Sequence, residues 1–195
     1  MSQLLYLIRH GKALHNELFE TMGVKAFRIP EGIDPPLVKE GIDQSIQLRQ
    51  NWVHKDEIEL ILVSPLTRTL ETAMNIFQEL NIPIICLEFL REYPIGEDTC
   101  NKRSETNLLK NKFPKIDFSE IKLEKDELWT EKRETIEQLN DRLNQMKKYI
   151  QNRSEKKIAI VGHSSYLGQF KDNKISYQEN GDEDLKHCYP YEYKL

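Results

Sequence analysis

The sequence predicts a layered α/β domain built on a mainly parallel sheet, and three observations predict it. Leu4–Ile8 is an unbroken apolar run ending in Arg9-His10-Gly11, and Ile158–Val161 is a second, ending in Gly162-His163-Ser164. A strand that reads as continuously apolar is buried on both faces, as the strands of parallel sheets are. Between the two runs, strand-like segments alternate with amphipathic segments of helical length, the order that winds a parallel sheet. Finally, 195 residues with 38% hydrophobic and 31% charged side chains suffice for a domain with its own core. Such a composition is too apolar for a disordered chain.

In chain order, the strand Leu4–Ile8 leads to a short helix within residues 12–21. Residues 23–36 hold two glycines and three prolines (Pro30, Pro35, Pro36), so they form a loop that starts near the His10 tip. Residues 39–54 carry the partial helical period Ile42, Ile46, Leu48 and Trp52, and residues 58–63 are the next strand. Ser64-Pro65 opens another helix, serine suiting the N-cap and proline the first turn. Its apolar stripe is Leu66, Leu70, Ala73, Phe77 and Leu80, with Arg68 off the stripe.

A third strand lies within residues 82–90. Its early Pro83 suits an edge or a strand start, and it runs into Arg91-Glu92-Tyr93. Residues 93–130 are an irregular insertion or lid with a short helix near 105–112, too short and polar to carry its own core. Residues 131–151 form an amphipathic helix with Ile136, Leu139, Leu143, Met146 and Ile150 on its apolar face. After the His163 strand come a helix over 165–170, a polar loop including Asn180-Gly181-Asp182, and a tail whose residues 187–193 form a last edge strand. No internal repeat interrupts this order, and residues 1–195 read as a single domain.

The net charge of −4 argues against a general binder of nucleic acid or anionic membrane. Cys86, Cys100 and Cys188 are odd in number and include no Cys-x-x-Cys pair, so neither a disulfide framework nor a zinc ribbon is expected. No apolar run approaches a membrane span, and Arg9 interrupts the first too early for a signal peptide. The expectation is a cytoplasmic protein.

In a parallel sheet the carboxyl ends of the strands lie along one edge, where such sheets bind ligands. Four tips are thereby brought together: Arg9-His10-Gly11, Ser64 with Arg68, Arg91-Glu92, and Gly162-His163-Ser164. Arg9 and Arg68 with two histidines and a carboxylate suit a phosphoryl dianion, because guanidinium forks pair with phosphate oxygens and helix N-termini add N–H donors. A neutral histidine there can act as nucleophile and a glutamic acid can protonate the leaving oxygen.

Arg9-His10-Gly11 with Asn16, Ser64-x-Leu66-x-Arg68-Thr69-x-x-Thr72, Glu92 and Gly162-His163, in this order, resemble the histidine phosphatase superfamily of phosphoglycerate-mutase-like proteins. Asp34-Pro35-Pro36-Leu37 with Gly41 belongs to the same pattern, which spans residue 4 to about residue 170. Cys100–Arg103, Phe113-Pro114-x-x-Asp117-Phe118 and Trp129 are similar to a eukaryotic branch of poorly defined substrate. The resemblance implies a three-layer α/β/α sandwich and a metal-independent, cofactor-free phosphatase. It implies His10 as the nucleophile that becomes phosphorylated, Arg9, Arg68 and His163 as the rest of the phosphate pocket, and Glu92 as proton donor and later base. Gly11, Asn16 and Ser164 are expected to bind substrate. Ser164 stands where many members have glycine, and Val38 where many have a helix-capping threonine.

Blander readings stand beside these. A lone histidine at a strand end is usually structural. Arg68 has surface partners in Glu71 or Glu92, an arrangement of little energetic value. Glu88, Glu97 and Asp98 compete with Glu92 for the acid role. His15, His54 and His187 are read as surface residues, Cys100 as a small buried one, and Lys12, Lys102 and Arg103 as either site extensions or solvated charges. The expected substrate is a small phosphorylated metabolite or a phosphopeptide. Phosphoglycerate-mutase-type transfer and non-catalytic binding of a phosphorylated ligand are the alternatives, and oligomeric state is not legible.

Overall fold

The computed structural model describes residues 2–175 and 185–195, so the loop expected around Asn180-Gly181-Asp182 lies outside the described residues. The strands are β1 (Leu4–Arg9), β2 (Leu60–Val63), β3 (Ile84–Cys86), β4 (Lys157–Gly162) and β5 (Pro190–Lys194). The helices are α1 (Leu14–Met22), α2 (Lys39–Asn51), α3 (Thr67–Phe77), α4 (Thr106–Lys112), α5 (Ile136–Gln151) and α6 (Ser164–Asp172). Among the described residues the strands make one sheet in the order β3-β2-β4-β1-β5, with the first four parallel and β5 antiparallel to β1.

The period of two along each strand sorts the side chains into two layers. Tyr6, Ile8, Ile61, Val63, Ala159 and Val161 pack with α3 and with Leu48 of α2, whereas Leu5, Leu7, Leu60, Leu62, Ile158 and Ile160 pack with α5 and α6. The result is a three-layer α/β/α sandwich. Phe113, Ile116, Phe118 and Ile121 of the insertion join the first layer and extend it past α4. The third strand is shorter than its apolar run, because residues 88–90 turn into a single 3-10 helix after β3. No helix among the described residues is long and apolar enough to cross a membrane.

One helix start differs from expectation. α3 begins at Thr67, and Ser64 does not cap it. The cap is Asp34, from the loop before α2: Oδ1 accepts from the Thr67 amide at 2.7 Å, and Oδ2 accepts from the Thr67 hydroxyl at 2.7 Å. Oδ2 also accepts from the Ser104 amide at 3.1 Å, so one buried carboxylate joins the loop, α3 and the insertion. A carboxylate on the positive end of a helix is favourable, and removing it leaves three donors unsatisfied. Asp34→Ala is therefore expected to lower stability by roughly 2–3 kcal/mol in a denaturant titration. A cost below about 0.5 kcal/mol would show that this carboxylate does not hold the three segments together. A smaller difference lies in α5, whose Ile136 is 43% exposed at the first turn behind the Thr135–Gln138 capping box.

A backbone contact fixes the His10 tip. A Cβ at Gly11 would collide with the carbonyl of Gly41, and a Cβ at Gly41 with the backbone of Lys12. The chain after β1 thus lies directly on the first turn of α2, where Val38 N donates to the Lys12 carbonyl at 3.1 Å. Val38 leaves the N-cap of α2 without a side-chain bond, as expected from the missing threonine.

Candidate functional site

His10 follows the last residue of β1, and its amide donates to the Gly162 carbonyl at the end of β4 at 3.0 Å. The ring is 2% exposed. Nδ1 lies 2.7 Å from the Gly11 carbonyl, and a carbonyl only accepts, so Nδ1 carries the proton and the lone pair is on Nε2. Burial, with the positive charge of Arg68 adding to it, holds His10 well below the ordinary histidine range. The ring is therefore neutral near pH 7, with a fixed tautomer.

Arg68 sits in the first turn of α3, fully buried, and donates to the Cys100 carbonyl and to Asn101 Oδ1, each at 2.8 Å. Among the described residues no carboxylate pairs with it, and its Nε has no partner. The surface pairing with Glu71 or Glu92 does not occur: Glu71 instead accepts from the Leu37 amide and Lys112. A guanidinium hydrogen-bonded in the interior to neutral oxygens, with Glu92 and Asp34 acting on it only through space, is placed to pair with an arriving anion.

His163 is the N-cap residue of α6, fully buried, with its ring centroid 5.2 Å from that of His10. Its Nε2 bonds the Ser64 hydroxyl at 2.8 Å, which is what the serine after β2 does in place of capping, and Nδ1 has no partner. Burial, then the charge of Arg68, holds His163 well below the ordinary range as well.

Glu92 is clamped by its surroundings. Arg142 of α5 donates to the Phe89 and Arg91 carbonyls at 3.0 and 2.8 Å, and it grips Glu134 through two nitrogens at 2.6 and 2.8 Å. Glu134 in turn accepts from the Ile95 amide at 2.9 Å. The Glu92 carboxylate lies over the start of α6, accepting from Tyr93, Tyr166 and Ser165 amides at 2.8, 3.0 and 3.3 Å. Burial raises its pKa above the ordinary carboxyl range, against the opposing pull of those amides and of Arg68. Of its competitors, Asp98 and Glu97 pair with Arg28, and Glu88 pairs with Arg91 and Arg103.

A cavity of about 1180 Å³ opens onto this group. Arg9, His10, Arg68, Glu92, Asn16 and Ser164 line it, whereas Gly11 and His163 lie behind the lining. Gly11 serves the fold: its amide donates to Thr72 Oγ1 at 3.0 Å while its carbonyl holds the His10 ring. Asn16 Oδ1 accepts from the Ala13 amide at 3.0 Å in a capping box that starts α1. Ser164 Oγ accepts from the Leu185 amide at 3.1 Å, and Arg9 Nη1 donates to the Leu185 carbonyl at 2.8 Å, so both anchor the segment that precedes β5. Arg91 turns away from the cavity to grip Asp126 through two bonds of 2.7 and 2.6 Å. Lys102 lies over the Trp129 ring and Arg103 is buried among carbonyls of residues 123–125, so neither extends the site, whereas Lys12 lines it. Among the described residues no group of three or more His, Cys, Asp or Glu is placed to hold a metal ion.

Two histidines read as surface residues are instead part of this site. His15 is 7% exposed, lines the cavity and lies 5.8 Å from the His10 ring. His187 also lines it, 5.5 Å from His10, and donates from Nδ1 to the His10 carbonyl. Burial takes His187 down to about 3 and holds His15 well below its ordinary range. The tail's edge-strand pattern contains the signal for His187, since pairing with β1 carries the preceding residues past Arg9. His15 has only its place beside Asn16. His54 is 44% exposed and pairs with Glu57, as a surface residue does.

Known proteins resemble this chain along most of its length. Residues 5–171 match the model of the histidine phosphatase superfamily (branch 1). Phosphoglycerate mutase-like protein 1 of Arabidopsis thaliana is 34% identical over 196 residues, which cover 84% of this chain and 68% of that protein. A probable phosphatase of Schizosaccharomyces pombe is 33% identical over 124 residues, 61% of this chain and 53% of its own. Among solved structures, a phosphoglycerate mutase from Bacillus anthracis superposes with a TM-score of 0.63 at 16% identity, covering all of this chain and 88% of the other. That likeness concerns the fold. The match across 5–171 takes in every strand tip described above, so the chain belongs to the histidine phosphatase superfamily, branch 1, whose members include phosphatases and mutase-like enzymes.

Proposed function

We propose that this chain is a metal-independent phosphatase that hydrolyses a phosphomonoester through a phosphohistidine on His10. The observation that supports it most is the bond from His10 Nδ1 to the Gly11 carbonyl, which leaves a neutral ring with its lone pair on Nε2 near a buried Arg68 that is in no ion pair among the described residues. In the first step Nε2 attacks phosphorus in line, the P–O ester bond breaks, and the Glu92 carboxyl gives its proton to the departing oxygen. In the second, water attacks the phosphohistidine, Glu92 takes the water proton, and inorganic phosphate leaves with His10 restored. Arg9 and Arg68 stabilise the equatorial oxygens, His163 stands behind them against the His10 ring, and Asn16 and Ser164 contact the substrate.

The test is an acid-labile, base-stable phosphate on His10 after rapid mixing with labelled phosphoesters and a denaturing quench. Binding without trapped phosphate or turnover would favour a non-catalytic phosphate-binding protein. Turnover of 3-phosphoglycerate to its 2-isomer in place of free phosphate would favour a mutase.

A pH profile follows from the charge states. Free enzyme needs Glu92 protonated and His10 neutral; with the first raised and the second lowered, kcat/KM is expected to fall as pH rises through the elevated Glu92 pKa. Glu92→Gln should remove that falling limb and slow release of poor leaving groups by about 10²–10⁴-fold, with less effect on an activated nitrophenyl ester. An unchanged profile in Glu92→Gln would assign the acid to another group.

A further inference from the structure

We infer that Arg142, on α5, is a positioning residue for the acid: paired with Glu134, it fixes the backbone on both sides of Glu92 and so sets how well poor leaving groups are expelled. The inference deepens the phosphatase reading and rests on it, through the role given there to Glu92.

Glu92 belongs to no helix or strand. It follows the 3-10 turn of residues 88–90 and precedes the irregular insertion, so no regular backbone ladder holds it. A carboxyl group carried on such a segment must be aimed by other groups if its proton is to meet one ester oxygen.

Arg142 and Glu134 supply that aim from both directions. Arg142 Nη1 donates to the carbonyls of Phe89 and Arg91, which precede Glu92, at 3.0 and 2.8 Å. Its Nε and Nη2 hold the Glu134 carboxylate, whose Oε2 accepts from the amide of Ile95, which follows Glu92, at 2.9 Å. The same guanidinium lies over the Tyr166 ring, 5.0 Å from its centroid, and the Tyr166 amide donates to Glu92 Oε1 at 3.0 Å. One planar group therefore touches the chain before the acid, the partner that holds the chain after it, and the helix start under its carboxylate. Arg142 is fixed in turn, because Leu139, Leu143 and Met146 of α5 are buried in the layer that α5 and α6 share with the sheet.

Two considerations separate aim from bulk stability and from charge. Arg142 and Glu134 are each 9% exposed, and a buried ion pair is weak evidence for stability, since apolar residues of similar volume commonly hold a fold as well. What an apolar pair would lose is the set of bonds to the backbone around Glu92. Glu134 meets the Arg142 charge through two bonds, and the cation that pulls on the Glu92 carboxyl is Arg68.

The test is Arg142→Met/Glu134→Leu, which removes the pair without stranding one charge, assayed on ethyl phosphate and nitrophenyl phosphate. Ethoxide needs a proton to leave, whereas nitrophenolate does not. The value of kcat/KM for ethyl phosphate is expected to fall on the order of 10- to 100-fold, and that for the nitrophenyl ester by less than about threefold. Phosphohistidine should accumulate during nitrophenyl ester turnover, because the base for water is the same displaced carboxylate. Added to Glu92→Gln, the two substitutions should lower ethyl phosphate hydrolysis by less than about threefold more, since no acid is left to aim. Arg142→Lys keeps a charge opposite Glu134 but cannot hold that carboxylate and both carbonyls together, so it should show the same selectivity in smaller degree. Calorimetric binding of inorganic phosphate checks that the pocket is intact; if the double variant does not bind it, Arg142→Lys decides on the same two esters. Equal losses on both esters, or a full further loss on the Glu92→Gln background, would overturn the inference. Ester-selective loss in Glu92→Gln but not in the Arg142 variants ends this inference and keeps the phosphatase. A wild type that hydrolyses neither ester, or a Glu92→Gln protein without selective loss, removes the acid assignment and the inference with it.

Discussion

His10→Ala is expected to lower phosphomonoester hydrolysis by at least about 10⁴-fold and to leave no acid-labile phosphate on the protein, because removal of the proposed nucleophile leaves only binding and charge stabilisation. Arg68→Ala is the internal comparison. It keeps the nucleophile and loses a charge aimed at the phosphoryl oxygens, so the cost is about 10²–10³ in rate with phosphohistidine still trapped. Arg68→Lys restores little, since a single ammonium cannot hold the Cys100 carbonyl and Asn101 Oδ1 while also facing an anion. The decisive measurement is quench-flow on the three variants with one substrate. A His10→Ala protein that retains wild-type hydrolysis would sink the phosphohistidine mechanism outright, whichever residue proved responsible.

Acid should unfold this protein more readily than its composition suggests. His10, His15 and His163 are held well below 6.5 and His187 is taken down to about 3, by burial first and the nearby arginines second. The unfolded chain takes up protons at these positions below about pH 6.5, whereas the fold refuses them, so stability is lost as pH falls from there toward 3. A histidine still neutral at pH 5 costs about 2 kcal/mol. His10, His15 and His163 push in the same direction, against the roughly 5–15 kcal/mol that holds a domain together. Glu92 opposes the trend, its raised pKa favouring the fold in acid, but it is one group against four. Urea midpoints at pH 7 and pH 5 measure the effect, and vanadate or phosphate should recover much of the loss by giving the imidazolium forms a partner. A midpoint unchanged between the two pH values would mean that these rings are not buried as neutral groups.

The sheet and the strand tips were legible because their signals are local: an apolar run fixes each buried strand, and parallel winding puts His10, Ser64 and His163 on one edge. What was missed depends on contacts between distant segments. Ser64 has the composition of a helix cap, yet its hydroxyl is taken by His163, and the cap comes from Asp34. Nothing near Asp34 in the chain announces that α3 will lie above it. His187 reads as a polar residue in a tail until β5 pairs with β1, and Arg91 looks like a site cation until Asp126 meets it from the insertion. Ile136 falls on the helical stripe by period, but it sits in the first turn, where the cavity rather than the sheet is its neighbour.

The carboxylate laid across the start of α6 carries a last consequence for the proposed cycle. Glu92 and an incoming phosphoryl group place negative charge in the same few ångströms of space, and the Tyr166 and Ser165 amides can compensate one such charge far better than two. In the proposed cycle an arriving phosphoryl group therefore adds to burial in favouring the protonated carboxyl, which keeps the acid armed while an ester is bound. After water has reacted, loss of that proton to solvent restores the carboxylate and repels the product. In the proposed cycle the helix end acts as an interlock, because one set of amides compensates the protein's own anion or its ligand's better than both together.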